Sequence, residues 1–390
     1  MKILFIFHYS RLKGGANISG LNLVRELKAL GHELEVIVPA DGDLCSELEM
    51  SGIEYNVIPF RTAWPYTIGS TESYVKFFPR AIRNNITNRR ALGRIVKRAE
   101  KFKPDIIHSN SSVISIGAKA AKKLGIPHVT HFREFGFRDT GFVDWHIPNI
   151  VSSRGQFNIA ISKDIAKFHN LTGDRSIVIY NGIYPRSAYA EKLKSHSPKG
   201  NYLLYVGGIY EAKGIDDLLE AYSRLDAETR RNHPLWLAGA SNSDRYESRM
   251  RQKAIDLGID KDIRWLGQRR DVAELMKNAK ALIVASYAEA FGRIMAEAAF
   301  NGCPVIARDA CGLHEQFENG VELTGKEIGF RFNTVEELSM QIQRVLNSSP
   351  DDLKEMLDAG YTTALKLYTN ESNAEAVTDF YNTILTNKLS

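Results

Sequence analysis

The sequence predicts an α/β protein made of two doubly wound domains. Its 390 residues exceed what one hydrophobic core usually holds. Apolar runs of strand length alternate with helical patterns, which is typical of a parallel sheet covered by helices on both faces. The alternation stops after Ile183 in a polar segment with two prolines (184–201), interpreted as a linker, and then begins again. We therefore expect a first domain at 1–185 and a second at 186–370.

The first domain opens with the apolar run "KILFIFH" at 2–8, which reads as a buried strand. After a glycine turn, apolar residues recur at helical spacing (18, 21, 23, 24, 27 and 30) until Gly31 ends the helix. Helical segments such as "SIGAKAAKKLG" separate several of the later strands. Those strands are predicted at 33–39, 55–60, 105–109, 127–132, 157–162 and 176–180.

The second domain repeats this pattern. Apolar runs such as "YLLYVG", "PLWLAGA" and "ALIVAS" alternate with helical segments such as "GIDDLLEAYSRL" and "GRIMAEAAFNG". Three helical patterns close the chain, at about 334–346, 350–367 and 371–388. Two such domains facing each other would leave a cleft at the carboxyl ends of their strands, where open α/β sheets bind ligands.

Composition and charge narrow the class of protein. No run of 18 uncharged apolar residues occurs, and the N-terminal segment is too short and too soon polar for a signal peptide. Cys45, Cys303 and Cys311 lack metal-ligand spacing, so we expect reduced thiols in a cytoplasmic protein and no metal site. The formal net charge is +5, but its distribution is uneven: Lys and Arg exceed Asp and Glu by 25 to 16 through Pro185, whereas the remainder has 26 against 30. A basic first half indicates an anionic partner.

The segment "EAFGRIMAEAAFNG" (289–302) carries the clearest chemical pattern. If "ALIVAS" is a strand and a helix begins at Gly292, Glu289 lies in the loop at the carboxyl edge of the sheet. The first backbone N–H groups of that helix, at Gly292, Arg293 and Ile294, are then available to negatively polarised oxygens.

Glu297 lies about a turn and a half into the same helix. Two carboxylates beside a glycine suit a ligand rich in hydroxyls, because each carboxylate can accept hydrogen bonds from a vicinal diol. A sugar and a ribose joined through a diphosphate fit that requirement. The alternative is that Glu297 caps the helix or is simply solvated on its surface.

The pattern E-x-F-G-x-x-x-x-E, formed by Glu289, Phe291, Gly292 and Glu297, resembles the signature of retaining GT-B glycosyltransferases of family GT4. The resemblance covers nearly the whole chain, and it implies two Rossmann-like domains that face a central cleft, with the C-terminal helix (about 371–390) packing on the first domain. Other segments agree in order and spacing: "GG" (14–15), "GHELEVIV" (31–38), "KPDIIHSN" (103–110), "IPHVTHF" (126–132), "YNGI" (180–183), "YVGGIYEAKGIDDLLEAY" (205–222) and "GLHE" (312–315).

The resemblance also implies roles for residues of the second domain. Glu297 would bind the ribose hydroxyls of a nucleotide sugar, and Glu289 would bind the hydroxyls of the transferred sugar. The backbone from Phe291 to Ile294, with Gly292 and Arg293 between, would hold the sugar and the diphosphate. Lys213 would neutralise the departing diphosphate. The alternative for Lys213 is a surface lysine, although the start of a helix is an unfavourable place for a cation.

In the first domain, the resemblance places the turn at Gly14 and Gly15 near the donor phosphates or the acceptor. Neither a G-K-[ST] nor a G-x-G-x-x-G pattern follows, which argues against a P-loop protein or a dehydrogenase. His131 corresponds to a family histidine that contacts the transferred sugar. A lone histidine that ends an apolar strand is otherwise more often a satisfied core residue.

One position departs from the family pattern. The family usually has Gly-Arg before the lysine loop, whereas Gly207 is followed here by Gly208. Arg293 or Arg11 could supply the missing charge. Otherwise the chain could be a catalytically silent partner subunit that only binds a nucleotide sugar, and a sugar-nucleotide epimerase or a phosphorylase is a weaker alternative.

The segment 80–103 concentrates Arg and Lys on an amphipathic helical pattern. Such a helix can lie on an anionic membrane, or it can be an ordinary solvated helix. Because the cations lack stacking aromatic residues and no nucleic-acid module is recognisable, we expect no nucleic-acid partner.

Taken with the resemblance, these features predict a retaining hexosyltransferase that uses a UDP- or GDP-linked sugar. We expect no metal and no cofactor, a glycan or lipid-linked acceptor, and a cytoplasmic protein peripheral to the inner face of the membrane.

Overall fold

The structure, a computed structural model, describes residues 1–12, 14–63, 65, 76–135, 157–188, 200–241 and 244–386. The chain divides into two compact units. The first comprises Met1–Gly182 and Asn370–Ser390, and the second comprises Ile183–Thr369. Most of the predicted linker, residues 189–199, lies outside the described residues.

The first unit is built on one parallel sheet, as the alternation of strands and helices predicts. Its seven strands are β1 (Lys2–Ile6), β2 (Glu33–Val38), β3 (Glu54–Val57), β4 (Ile106–Ser109), β5 (His128–Phe132), β6 (Phe157–Ala160) and β7 (Ser176–Val178). They lie in the order β3-β2-β1-β4-β5-β6-β7. The chain therefore builds outwards from β1 on one side and from β4 on the other.

Helices cover both faces of this sheet. They are α1 (Gly15–Ala29), α2 (Asp43–Met50), α3 (Phe77–Phe102), α4 (Ile116–Leu124) and α5 (Lys163–Phe168). Because neighbouring side chains of a strand point to opposite faces, Ile3 and Phe5 pack in one apolar cluster with α1 and α2. Leu4 and Ile6 pack in a second cluster with α3 and α4.

The C-terminal helix (Asn370–Thr386) belongs to the first unit and packs against α1. Val377, Phe380 and Tyr381 are buried in the same cluster as Ile3 and Phe5. Residues from the two ends of the chain therefore share one core.

The second unit repeats the architecture with a six-stranded parallel sheet. Its strands are β8 (Leu203–Val206), β9 (Leu235–Ala238), β10 (Ile263–Gly267), β11 (Ala281–Val284), β12 (Val305–Arg308) and β13 (Phe330–Phe332). They lie in the order β10-β9-β8-β11-β12-β13. The helices are α6 (Ile215–Ser223), α7 (Ala227–Asn232), α8 (Asp244–Asp256), α9 (Val272–Asn278), α10 (Arg293–Phe300), α11 (Cys311–Thr324), α12 (Val335–Asn347) and α13 (Pro350–Leu367).

In each unit the strand order reverses once between two neighbouring strands. The reversal lies between β1 and β4 in the first unit and between β8 and β11 in the second. Loops that leave the carboxyl ends of such strands diverge to opposite faces, and open α/β sheets bind their ligands there. These two positions are therefore where a ligand site is expected in each unit.

Candidate functional site

Two of the predicted site residues meet at the strand reversal of the second unit. Lys213 lies in a short 3₁₀ turn (Glu211–Lys213) after β8, and Glu289 lies in the loop after β11. The Lys213 Nζ is 2.5 Å from the Glu289 Oε1. The backbone N–H of Tyr287 donates to the Ala212 carbonyl at 3.0 Å, which joins the two loops.

The Lys213–Glu289 pair is largely shielded from water. The two side chains keep 18% and 19% of their exposure, respectively. Burial by itself lowers the pKa of Lys213, but the Glu289 carboxylate and Tyr210 outweigh that effect and raise it overall. Lys213 is therefore a cation whose charge is balanced by a second site residue.

A close backbone approach holds the Lys213 turn over the sheet. Gly214 follows Lys213 in a left-handed conformation (φ 64°), and a Cβ there would lie 2.1 Å from the Ala285 carbonyl oxygen. Because no side chain fits that gap, the 3₁₀ turn can rest directly on the end of β11.

Gly292 fixes where α10 begins. It precedes the helix with φ 80°, and a Cβ there would lie 2.4 Å from Leu313 Cδ2. The Gln316 side-chain amide donates to the carbonyls of Phe291 (2.5 Å) and Gly292 (3.1 Å), which anchors this turn to α11. The Phe291 ring itself is buried against Tyr368.

The first turn of α10 carries the second predicted carboxylate. Arg293 Nη2 lies 3.4 Å from Glu297 Oε1 one turn later, and both side chains are mostly buried. Ile294 is partly buried and packs against the apolar core. The positive end of the helix dipole and a cation therefore lie together at this helix start. Burial, opposed by Glu297, lowers the pKa of Arg293.

The structure gives a reason for the glycine at position 208. A Cβ on Gly208 would lie 2.6 Å from the Tyr210 ring, and the Tyr205 hydroxyl donates to the Gly208 carbonyl at 2.8 Å. The Tyr210 ring also lies 5.6 Å from Lys213 Nζ. Tyr210 thus occupies the space beside Gly208 into which a larger side chain would extend.

The predicted residues of the first unit lie at the carboxyl ends of its strands. Gly14 has φ 97° and directly precedes α1, whose first residue is Gly15. His131 lies near the end of β5 and is fully buried. Arg11, one candidate for the missing charge, is exposed, and its carbonyl accepts a hydrogen bond from Asn17.

Sequence analysis missed a buried polar network around His131. Arg133 donates to Asn110 (3.0 Å) and to Asn181 (2.5 Å), and its Nη2 lies 3.2 Å from His131 Nδ1. The Arg133 side chain is only 5% exposed. The sequence does contain a sign of this network. The charged pair "RE" directly follows the strand "HVTHF", and charged side chains next to a buried strand are rarely without a partner.

Glu134 lies beside this network and is equally buried. Its Oε1 accepts hydrogen bonds from the Ser111 hydroxyl (2.6 Å), the Ser112 hydroxyl (2.8 Å) and the Ser112 backbone N–H (3.0 Å). The loop after β4 is thereby fixed to the end of β5.

No group of three or more His, Cys, Asp and Glu side chains is arranged to hold a metal ion in the part of the chain that the structure describes. Cys45, Cys303 and Cys311 form no disulfide bond with one another.

Two family models match the chain, one on each half. The model for "Glycosyltransferase Family 4" matches residues 13–186, and the model for "Glycosyl transferases group 1" matches residues 190–362. The chain therefore belongs to the GT4-type glycosyltransferases, whose GT-B fold consists of two Rossmann-like domains.

Individual relatives agree with this assignment. The lipopolysaccharide glucosyltransferase WaaG of Escherichia coli is 28% identical over 197 residues, which is 48% of this chain and 51% of WaaG. The chain thus spans about half the length of that curated relative. An uncharacterized glycosyltransferase of Methanocaldococcus jannaschii is 24% identical over 80% of both chains. The crystal structure of Anabaena Alr3699/HepE in complex with UDP has a TM-score of 0.76 at 20% identity, covering 98% of this chain and all of that one.

Proposed function

We propose that the protein transfers a hexose-type sugar, with retention of configuration, from a nucleoside diphosphate donor to a hydroxyl acceptor. The observation that carries this proposal is the pairing of Lys213 with Glu289 at the strand reversal of the second unit. A partly buried cation and carboxylate at this position match the two demands of such a donor, a diphosphate and a sugar rich in hydroxyls.

Each residue has a proposed task in the reaction. Lys213 stabilises the negative charge that develops on the departing diphosphate. The backbone from Phe291 to Ile294 binds the diphosphate and the sugar at the start of α10, with Arg293 as a second cation. Glu289 accepts hydrogen bonds from the transferred sugar, and Glu297 from the ribose. Gly14 and Gly15 lie near the phosphates or the acceptor.

The proposed chemical step is attack from the face of the leaving group. The bond between the anomeric carbon and the phosphate oxygen breaks, and the acceptor oxygen bonds to the same face of that carbon. The departing phosphate takes the acceptor proton, so the step needs no protein nucleophile. We propose that it also needs no metal ion or cofactor.

The comparisons support the donor and acceptor classes by similarity. HepE has been crystallised with UDP and glucose and with UDP-glucose. Relatives with partial matches include the lipopolysaccharide glucosyltransferase WaaG and an O-antigen chain mannosyltransferase of Escherichia coli. We therefore propose a UDP- or GDP-linked donor and a lipid-linked or cell-surface glycan intermediate as the acceptor.

Substitution of the proposed donor residues tests the assignment. Lys213→Ala and Glu297→Ala should each abolish donor turnover by the purified protein, because each removes a charged partner of the donor. Lys326→Ala is the matched control, because Lys326 lies on the surface in an exposed ion pair with Glu355 and should leave turnover unchanged. Wild-type turnover by either donor-site variant would contradict the proposal.

A thermal-shift screen identifies the donor independently of the acceptor. A nucleotide sugar at a hundred times its dissociation constant stabilises the folded protein by about 2.7 kcal/mol. UDP- and GDP-sugars that raise the melting temperature of the wild type, but not of Lys213→Ala, are donor candidates.

The second candidate function is a silent subunit that binds a nucleotide sugar without transferring it. Tyr210 lies beside Gly208, at the position where the family resemblance implies an arginine, and this favours the alternative. Tight binding of a nucleotide sugar without hydrolysis or transfer by the isolated chain would establish it.

We further propose that α3 meets an anionic membrane surface. Phe78, Ile82 and Ile86 recur every four residues along one side of the helix and are 74%, 63% and 49% exposed, respectively. The exposed residues of the same helix include a single carboxylate, Glu100. They also include six cations, which are Arg83, Arg89, Arg90, Arg94, Lys97 and Lys101. Apolar side chains beside clustered cations suit a bilayer with anionic head groups. From these exposed side chains we propose peripheral attachment at the inner face of the membrane. No helix among the described residues is long and apolar enough to cross a bilayer.

A further inference from the structure

The chain passes between the two units twice, and the two passages adjoin each other within the second unit. This unit begins at Ile183 and ends at Thr369. The Ile183 N–H donates to the Tyr368 carbonyl at 2.8 Å, and Tyr184 forms a parallel β-bridge with Thr369. These two pairs of residues, here called the connecting segments, are therefore held together by their backbones.

The second connecting segment packs on the turn that begins α10. The Tyr368 ring meets the Phe291 ring edge-on, with centroids 5.2 Å apart, and both side chains are buried. Asn319 of α11 donates to the Tyr368 hydroxyl at 3.0 Å, which holds the ring in place. Phe291 and Gly292 form the donor-site turn, so Tyr368 is a second anchor for this turn beside Gln316.

The first connecting segment packs on the other end of α10. The Tyr184 ring meets the Phe300 ring edge-on, with centroids 5.5 Å apart. Burial and the nearby Glu297 raise the pKa of the Tyr184 hydroxyl, whereas a hydrogen bond with Asn301 and the charge of Arg293 lower it. The Asn301 amide also donates to the Glu297 carbonyl at 2.7 Å. Tyr184 therefore lies on the part of the helix that carries the Arg293–Glu297 pair.

These contacts tie the donor-site turn to the connecting segments. Protein interiors are close-packed, so a shift of the turn must either move the Tyr368 ring or leave a void beside it. The carbonyl of the same residue accepts the Ile183 N–H. Coupling of this kind is reciprocal, because two events that favour each other do so by the same free energy. Order in the turn and pairing of the segments should therefore rise and fall together.

We propose that Tyr368 and Tyr184 are positioning residues of the candidate donor site. Through them, a nucleoside diphosphate at the start of α10 and the pairing of the connecting segments stabilise each other. The ligand rests on the proposed function, in which the donor-site turn binds the diphosphate. Neither tyrosine has to touch that ligand, because Tyr368 holds the turn and Tyr184 holds the helix that carries Glu297. Occupancy of the site is thereby transmitted to both places where the chain passes between the units.

The positioning role can be measured without any ligand. The Met295 N–H donates to the Gly292 carbonyl at 3.0 Å, so its hydrogen exchange, followed by NMR, reports the order of the donor-site turn. We expect about tenfold faster exchange at Met295 in Tyr368→Leu, close to the upper limit of what one aromatic pair contributes. Tyr368→Phe should keep the wild-type rate, and the Leu338 N–H in the first turn of α12 is the control amide. A wild-type rate at Met295 in Tyr368→Leu would overturn the positioning role.

Nucleotide affinity tests whether this order matters for binding. Titration with UDP and GDP should show about tenfold weaker binding by Tyr368→Leu and near wild-type binding by Tyr368→Phe. In transfer assays the loss should appear as a higher KM with kcat nearly unchanged, because the turn binds the diphosphate before and during the reaction. Tyr184 is only partly buried, so Tyr184→Leu, for which we also expect weaker binding, keeps the test available if Tyr368→Leu does not fold.

Tyr222→Leu is the matched control for these losses. Tyr222 is a fully buried tyrosine of the same unit, but it packs in a different apolar cluster from α10. The substitution should lower the melting temperature and leave nucleotide affinity unchanged. If Tyr222→Leu weakened binding as much as Tyr368→Leu, both would act through stability alone, and the positioning role would be refuted.

The Ile183 N–H provides the reciprocal measurement, because it joins the two connecting segments. In the wild type, saturating UDP or GDP should slow hydrogen exchange at Ile183 together with Met295. In Tyr368→Leu, a saturating nucleotide should still protect Met295 but no longer protect Ile183. Protection of Met295 without Ile183 in the wild type would overturn the coupling. A wild type that binds neither UDP nor GDP would instead contradict the proposed function, while the exchange of Met295 in the variants without nucleotide would still decide the positioning role.

Discussion

At the scale of single residues, the cations of the candidate donor site are paired with its own carboxylates. Lys213 is paired with Glu289, and Arg293 with Glu297. A bound diphosphate must therefore compete with Glu289 for the Lys213 ammonium. The carboxylate that is proposed to recognise the sugar also weakens the attraction of the site for phosphate.

This competition predicts opposite effects of one substitution on binding and on transfer. Glu289→Gln removes a negative charge but keeps the shape and a hydrogen-bonding side chain, so Lys213 becomes free to bind phosphate. We expect UDP or GDP to bind about tenfold more tightly, since a charge-assisted hydrogen bond is worth roughly 1.5–3 kcal/mol, while sugar transfer falls.

Isothermal titration at two salt concentrations measures the first effect, and a transfer assay measures the second. Glu355→Gln is the control, because Glu355 forms an exposed ion pair with Lys326. Weaker nucleotide binding by Glu289→Gln would mean that the carboxylate does not compete for Lys213.

At the scale of secondary structure elements, α3 has different surroundings along its length. Its C-terminal half packs Ile95, Val96 and Ala99 into the core, whereas Phe78, Ile82 and Ile86 near its start are exposed. The amphipathic pattern in the sequence therefore combines a core face with a separate exposed apolar stripe. Only the latter is available to a membrane.

The proposed membrane surface can be tested with vesicles. Wild-type protein should sediment with vesicles that contain anionic phosphatidylglycerol and not with pure phosphatidylcholine, because each cation near the surface contributes about 1 kcal/mol. The double variant Ile82→Asn/Ile86→Asn should bind the anionic vesicles much more weakly with only a small change in melting temperature, since 63% of Ile82 and 49% of Ile86 are exposed to water.

Met340→Asn is the matched control for this loss, because Met340 is 59% exposed on α12 of the second unit. Binding that survives the double variant, or that Met340→Asn also abolishes, would exclude α3 as the specific contact.

At the scale of the whole molecule, several histidines of the first unit lie in surroundings that disfavour their charged form. The first unit holds His8, His108, His128 and His131 in environments that lower their pKa; burial lowers the pKa of His128 to about 3 and, with Arg133, that of His8 to about 4. The unfolded chain binds a proton on each of these rings near pH 6.5. Stability from these groups is therefore complete above that pH and is lost as the pH falls towards the folded pKa values.

We expect the free energy of unfolding to decrease from pH 7 to pH 5, by up to 1.36 kcal/mol per pH unit for each such histidine. Urea unfolding at a series of pH values measures the slope. His128→Gln should lower the slope by about one proton, whereas Met340→Gln, at an exposed position without a titratable group, should leave it unchanged. A slope that does not respond to His128→Gln would show that His128 takes up no additional proton on unfolding, and its pKa would then not be lowered in the folded protein.

Much of the fold was predictable from local patterns. Strand–helix alternation predicted two doubly wound parallel sheets, because a strand buried on both faces needs a continuous apolar run and a helix needs a periodic one. In the candidate site, the motif residues Glu289, Gly292 and Glu297 and the lysine at 213 were identifiable in the same way. The roles of those residues stay predictions.

Other features were not predictable. Nothing in the local sequence indicates that Tyr210 packs over Gly208, or that Tyr381 and His108, 273 positions apart, share a hydrogen bond. Arg133 and Glu134 were visible as charges after a strand, but their partners come from other strands and loops.

The sequence by itself determined the class of fold and the family and predicted the site residues, because these depend on periodicity and on short motifs along the chain. Only the tertiary structure decided which charges neutralise each other, which side of α3 stays in water and which side chains surround Arg133. Those properties depend on distances between groups that lie far apart in the chain, and packing alone sets such distances.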